Sequence, residues 1–266
     1  MKGTIIGDVS GSKYEFNNTY DEHFKDFIDY YKCNFTDDSV LTLAVMKYLL
    51  DLHFDKVAGN FAQYLKIFAT KYPHRGYGHR FKEWVYYESE EPYNSFGNGS
   101  AMRAGACAYY SEDLEECRKV TKEVTIPTHN HPEGIKGALA TTDAIFYARH
   151  GKTKEFILKQ INKDYGYLYD DSCLLIKQFG VSCQVTMPKV LYAFSQGTSY
   201  EDSIRKVISY GGDSDTYAAI LGGICEAFYK SDRNFIDTTF EDSYKYRVID
   251  ARFYSIVSAF YKTFVK

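Results

Sequence analysis

Thr36-Asp37-Asp38-Ser39-Val40-Leu41-Thr42-Leu43-Ala44-Val45-Met46-Lys47-Tyr48-Leu49-Leu50-Asp51-Leu52 opens on a hydroxyl and two carboxylates and runs on as an apolar stripe. Val40, Leu41, Ala44, Val45, Tyr48, Leu49 and Leu52 recur at intervals of three and four, the period of a helix that buries one face. Thr36 suits the N-cap, and acids in the first turn complement the helix dipole. The same period returns over 57–69, 81–87, 100–110, 112–124, 135–147, 154–161, 189–194, 200–208, 217–229 and 253–264, and no stretch sustains the alternation of a strand. Pro73, Pro92, Pro127, Pro132 and Pro188 fall mostly between these runs, where a missing N–H ends helices. With no linker-like composition and no fixed repeat, the chain reads as one all-α domain over 1–266, its ligand groups on loops and helix N-termini.

A second acidic cluster, Gly211-Gly212-Asp213-Ser214-Asp215-Thr216, also precedes a helical run. Capping explains one acid per cluster better than two, because a second exposed first-turn acid adds only about 0.3–1 kcal/mol. Four hydroxyl-flanked carboxylates are hard oxygen ligands. Brought together, they would repel and take up protons unless a cation lay between them. The pattern suits Mg²⁺ or Mn²⁺, and two ions in particular, since carboxylates can bridge ions ~4 Å apart.

The 266 residues, 45% of them apolar, are enough for a sizeable core and a buried site. Thirty-two basic against 35 acidic residues give a net charge of −3, so neither nucleic acid nor a membrane surface is attracted by bulk charge, and an anionic ligand has to be gripped locally. Cys33, Cys107, Cys117, Cys173, Cys183 and Cys225 show no metal-like spacing and read as core residues. The start, Met1-Lys2-Gly3-Thr4, has no signal-peptide pattern, and no apolar run nears the ~18 residues of a membrane span, so the expectation is a reduced, cytoplasmic protein, monomeric and without a membrane partner.

Four segments do not read as helix interior. In Gly7-Asp8-Val9-Ser10-Gly11-Ser12-Lys13-Tyr14-Glu15 the glycines permit tight turns or close backbone approach, and Glu15 closes the stretch. Tyr93-Asn94-Ser95-Phe96-Gly97-Asn98-Gly99-Ser100-Ala101-Met102-Arg103 is a Gly-rich loop entering a helix, a ready anion site suited to phosphate. In Thr128-His129-Asn130-His131-Pro132-Glu133 two histidines stand just before a helix, open to ligand hydrogen bonding or to capping, with spacing that argues against zinc. Arg75-Gly76-Tyr77-Gly78-His79-Arg80-Phe81-Lys82-Glu83-Trp84 either lines a pocket or is a surface loop before a packed helix.

The order of these motifs, from Gly7-Asp8…Gly11…Glu15 through Thr36-Asp37-Asp38-Ser39, Tyr77-Gly78…Arg80-Phe81…Trp84, Gly97-Asn98-Gly99-Ser100-Ala101-Met102-Arg103 and His129-Asn130-His131-Pro132 to Gly211-Gly212-Asp213-Ser214-Asp215-Thr216, resembles the ADP-ribosylglycohydrolase family, the relatives of dinitrogenase reductase-activating glycohydrolase. The resemblance spans essentially the full chain. It implies a compact, orthogonal multi-helix fold that holds two Mg²⁺ or Mn²⁺ ions and hydrolyses the bond between ADP-ribose and a modified group. By this likeness Thr36, Asp37 and Asp38 match one side of a binuclear site, and Asp213, Asp215 and Thr216 the other, with Asp215 as the bridge. Glu15 matches the family's mobile acid near the distal ribose, and Glu15, Asp37 and Asp38 become the catalytic candidates. Gly97, Asn98, Gly99, Ser100 and Ala101 match the diphosphate loop, and His129 the segment reaching toward the adenosine. Ser39 and Ser214 stand where the family often has Thr.

Cleavage of a bond to ribose passes through an oxocarbenium-like state, so the site has to orient the sugar, supply water and assist the leaving group. Two hard cations can chelate vicinal hydroxyls and lower the pKa of water. A non-catalytic ADP-ribose binder, such as the crystallin-like relatives, and a two-metal phosphoesterase are the competing readings. The residues leave the acceptor open among a protein side chain such as arginine or serine, a nucleic acid and a small conjugate.

Overall fold

The computed structural model describes residues 1–57, 59–86, 91–175 and 180–265. Among them are thirteen α-helices and three short 3-10 turns, with no β-strand. The helices are α1 (Lys2–Ser12), α2 (Asp37–His53), α3 (Phe61–Lys71), α4 (His79–Tyr86), α5 (Gly99–Ala104), α6 (Leu114–Thr125), α7 (Pro132–Arg149), α8 (Lys154–Tyr165), α9 (Cys183–Gln196), α10 (Tyr200–Ser209), α11 (Ser214–Phe228), α12 (Arg233–Lys245) and α13 (Ala251–Phe264). Every run expected from periodicity overlaps a helix, although the 100–110 run leaves α5 for a 3-10 turn over Gly105–Tyr109, and the expected terminus at Tyr87 lies outside the described residues. The 57–69 run starts late, at Phe61, because the Asn60 side chain caps the helix there. Pro188, expected between helices, lies inside α9.

Two helices were not expected. α12 buries only Ile236, Thr239, Phe240 and Ser243, too few apolar positions to show a stripe. The correction at α1 matters more: most of the stretch beginning at Gly7, expected to be non-helical, continues α1 as far as Ser12. Each glycine costs a helix about 1 kcal/mol relative to alanine. These glycines are instead a packing surface. A Cβ at Gly3, Gly7 or Gly11 would fall within 3.0 Å of the carbonyl of Gly222, Ala218 or Ser214 respectively. Small residues every four positions on both partners let the backbones of α1 and α11 touch, and this is the most extensive helix pairing in the molecule. α11 is buried on nearly all sides, with α7, α9, α10 and α2 packed around the pair, and one apolar core runs from Met1 to Phe264.

The six cysteines are all buried and unpaired, as their scatter suggested. Among the described residues no helix is long and apolar enough to cross a membrane.

Candidate active site

The contact between α1 and α11 sets Asp8, near the middle of α1, beside Asp215 in the first turn of α11 and Asp38 in the first turn of α2. Ligand oxygens of Asp8, Asp38 and Asp215 lie within 4.8 Å of one another, as do those of Glu15, Asp213 and Asp215. Asp215 is common to both groups. The two acidic clusters, 175 residues or more apart in sequence, therefore meet as expected, and the structure adds Asp8, which sequence reasoning passed over. Asp8 Oδ2 accepts from the backbone N–H of Thr36 (2.9 Å) and Ser39 (3.1 Å), and Oδ1 lies 2.7 Å from the Thr36 hydroxyl. Both its oxygens are thus engaged in capping α2 from a neighbouring helix. Its signal in sequence was an acid embedded in the glycine-spaced stretch.

Thr36 Oγ1 also lies 2.9 Å from Asp38 Oδ2, and the Thr216 hydroxyl reaches the same oxygen at 3.2 Å. The other carboxylate oxygen of Asp38 is buried with no hydrogen-bond partner among the described residues. Asp213, preceded by Gly211 and Gly212 at φ of 67° and 88°, is held by the Asn98 amide at 2.6 Å. Those two left-handed residues turn the chain sharply enough to present Asp213 at the mouth of α11. Asp37 lines the same cleft but joins neither oxygen triad.

Burial raises every one of these carboxyls; repulsion from neighbouring acids adds to it at Glu15, Asp37, Asp38 and Asp215, whereas hydrogen bonds hold it back at Asp8 and Asp213. Asp8 is pushed up to about 6, chiefly by burial. Glu15 is pushed up to about 7 by burial and then by Asp213. Asp37, Asp38 and Asp215 are driven well above the usual carboxylate range, and Asp213 is raised too. Among the described residues none of the six forms an ion pair with Lys, Arg or His. Lys189 acts on Asp213 only from beyond ion-pair distance, and a set of hard oxygens with one buried orphan and no ion-paired cation among the described residues is chemically fitted to divalent cations.

A cleft of about 460 Å³ leads away from this acidic end and is lined by Glu15, Asp37, Asp38, Asp213, Asp215 and Thr216 there, and by Gly97, Asn98, Gly99 and His129 farther along. Gly76, Gly78, His79, Arg80 and Phe81 also line it, so the 75–84 stretch belongs to a pocket wall. The side chains of the loop are largely committed within the protein. The Asn98 amide is committed to Asp213 and to the Thr186 hydroxyl (2.9 Å), which makes it a strut between loop and acidic end. Ser100 turns inward on α5 to donate to the Gly134 carbonyl (2.7 Å), and Ala101 is wholly in the core, so neither side chain lines the cleft. Their backbone amides sit in a helix first turn, which leaves them without intrahelical acceptors. Gly97 and Gly99 do not adopt positive φ. A Cβ at 99 would lie 3.2 Å from His129 Nε2, a contact tight enough that the ring would have to give way. Of the two histidines, His131 is a helix cap, accepting from the Glu133 N–H at 3.1 Å, while His129 faces the loop.

Fold and cleft together define an all-helical protein with an oxygen-rich acidic centre. The chain belongs to the ADP-ribosylglycohydrolase family, a family of glycosidic-bond hydrolases, whose model matches residues 1–233. The ADP-ribosylhydrolase ARH3 of Homo sapiens is 25% identical to it over 88% of this chain and 85% of its own length. That of Gallus gallus is 26% identical over 74% and 70%. A solved structure described as an ADP-ribosylglycohydrolase-related protein complex superposes with a TM-score of 0.71 over 98% of this chain and 94% of its own, at 19% identity, a likeness of fold.

Proposed function

We propose that the protein hydrolyses the glycosidic bond between the anomeric carbon of ADP-ribose and an acceptor, a protein side chain such as arginine or serine or another ADP-ribosyl conjugate, and so reverses ADP-ribosylation. The observation that carries this reading is Asp215, shared by two acidic triads at one end of a cleft whose other end is the Gly97–Gly99 loop. The ARH3 relatives, ADP-ribosylhydrolases by name, support it.

In this reading Thr36, Asp37 and Asp38 hold two divalent ions, Mg²⁺ or Mn²⁺, from one side, and Asp213, Asp215 and Thr216 hold them from the other. Such ions supply Lewis-acid polarisation and a template for vicinal ribose hydroxyls. Glu15 and Asp37 are the partly exposed carboxyls, placed to exchange protons with solvent during the reaction, whereas Asp38 is buried and bonded by two hydroxyls. The Gly97 and Asn98 N–H groups are spent on Ser95 Oγ (3.1 Å) and the Val181 carbonyl (2.7 Å), so the first-turn amides from Gly99 onward take the diphosphate, away from the carboxylates that would repel it. His129, beside that loop, donates to the nucleotide end.

The test is incubation with defined ADP-ribosyl-arginine, ADP-ribosyl-serine and ADP-ribosylated nucleic-acid substrates, with Mg²⁺ and with chelator. Metal-dependent release of free ADP-ribose from at least one of them is expected. AMP as the product would replace this reading by a phosphoesterase, and binding without turnover by a non-catalytic binder.

A further inference from the structure

Arg103 is buried to 1% exposure behind the Gly97–Gly99 loop and, among the described residues, pairs with no carboxylate. Its hydrogen bonds go to neutral acceptors: the Gly99 carbonyl at 2.6 Å, the Val124 carbonyl at 3.3 Å and the Thr128 hydroxyl at 2.8 Å. The Thr128 hydroxyl in turn lies 2.7 Å from His129 Nδ1. Nε2 of the same ring sits 3.2 Å and 3.6 Å from where Cβ atoms on Gly99 and Gly97 would be, at the wall of the cleft.

Counting donors settles the direction of this chain. A guanidinium only donates, so the Thr128 oxygen accepts from Arg103 and keeps its own proton to place. Thr128 is fully buried, out of reach of solvent, and His129 Nδ1 is the only other partner of its hydroxyl among the described residues. Were Nδ1 protonated, the Thr128 proton would be left unsatisfied in the interior, at a cost of about 1–3 kcal/mol. Nδ1 therefore accepts, and the ring proton stays on Nε2. Burial, with Arg103 and Arg80 nearby, also holds the ring well below the usual imidazole range, so it stays neutral.

We infer that Arg103 and Thr128 are positioning residues that lock His129 as the neutral Nε2–H tautomer, a fixed hydrogen-bond donor aimed into the cleft beside the Gly97–Gly99 loop. With the buried Arg103 charge behind it, this part of the wall offers a donor and positive charge. The ligand atom it fits is an anionic oxygen, and identifying that atom with a phosphate oxygen of ADP-ribose rests on the function proposed above.

The tautomer is read without any ligand, from long-range ¹H–¹⁵N correlation spectra of ¹⁵N-histidine-labelled protein, with the His129→Gln variant assigning the signals. Expected is an unprotonated Nδ1 and a protonated Nε2 for His129, unchanged between about pH 8 and about pH 6. A protonated Nδ1, or an imidazolium in that range, overturns the inference. Thr128→Val should mix the tautomers and weaken ADP-ribose binding on the order of tenfold, with Thr128→Ser restoring both. Unchanged tautomer and affinity in Thr128→Val would remove the relay. Should that variant fail to fold, the spectrum of the unmodified protein still decides. An Nε2–H tautomer in a protein that does not bind ADP-ribose would defeat the proposed function and leave this inference standing, and the converse result would do the reverse.

Discussion

Asp215 belongs to both acidic triads, and its removal tests the centre more sharply than removal of any acid that joins only one. Asp215→Asn keeps the shape and the Thr216 N–H contact while deleting the shared charge. Turnover should fall on the order of a hundredfold or more, beyond the 10–100-fold typical of groups that merely support a ligand. The melting temperature of the metal-free variant can move either way, because relief of repulsion offsets the lost contact. Full activity in excess Mg²⁺ would contradict the assignment. Gly99 tests the other end of the cleft. Gly99→Val forces a branched side chain against His129 Nε2, so titration calorimetry should show weaker ADP-ribose binding, on the order of tenfold, with metal binding little changed. Equal ADP-ribose affinity would take this loop out of the site.

At the scale of elements, the pairing of α1 with α11 assembles the centre. Gly7 faces the Ala218 carbonyl so closely that even a methyl group does not fit. Gly7→Ala should destabilise the fold by about 1–3 kcal/mol, the usual cost of overpacking. Because Asp8 is the next residue, the same separation would pull its carboxylate from Thr36 and Ser39 and loosen the first turn of α2. Chemical denaturation and metal titration of one variant therefore ought to report linked losses. A Gly7→Ala protein with unaltered stability would mean that the two helices can part without strain. Capping at the other elements is locally encoded: Asp113 accepts from Glu115 and Glu116, and Asp250 from Arg252 and Phe253, so α6 and α13 start where the sequence places an acid before an apolar run.

For the whole molecule, a crowd of buried, unneutralised carboxyls is a stability liability that cations remove. Asp8 and Glu15, raised to about 6 and about 7, keep protons in the metal-free folded state that the unfolded chain releases near pH ~4. The folded state then binds more protons than the unfolded one, so this contribution to stability is present at low pH and is lost as pH rises through the folded pKa values, from about 4 to about 7. His129 runs the opposite way, since a neutral buried imidazole loses stability as pH falls below its ordinary value. Comparing melts with and without Mg²⁺ isolates the carboxyls. The rise in Tm on adding Mg²⁺ should grow between about pH 5 and about pH 7.5, reaching the equivalent of about 2.7 kcal/mol at one hundred times Kd. A rise that shrinks with pH, or no rise, would argue against cations at this centre.

What the chain determined by itself was whatever rests on short-range periodicity and local chemistry. The three- and four-residue recurrence over Val40 to Leu52 specifies α2, and Thr36 specifies its start, because a helix is built from neighbours along the chain. The pairs Asp37-Asp38 and Asp213-Ser214-Asp215 stood out because capping accounts for only part of them, and Asp38, Asp213 and Asp215 do come together in the fold. Tertiary structure decided the rest. Gly3, Gly7 and Gly11 look like chain breakers until α11 is laid against them, since only a partner backbone turns a missing side chain into a contact. Asp8 gains its role from an oxygen that caps a helix 28 residues away, Asn98 from reaching Asp213 across 115, and the Ser100 hydroxyl meets the Gly134 carbonyl across 34 once α5 winds it inward. Hydrogen bonds and electrostatic repulsion act through space, and only the packing of the helices brings those atoms within their range.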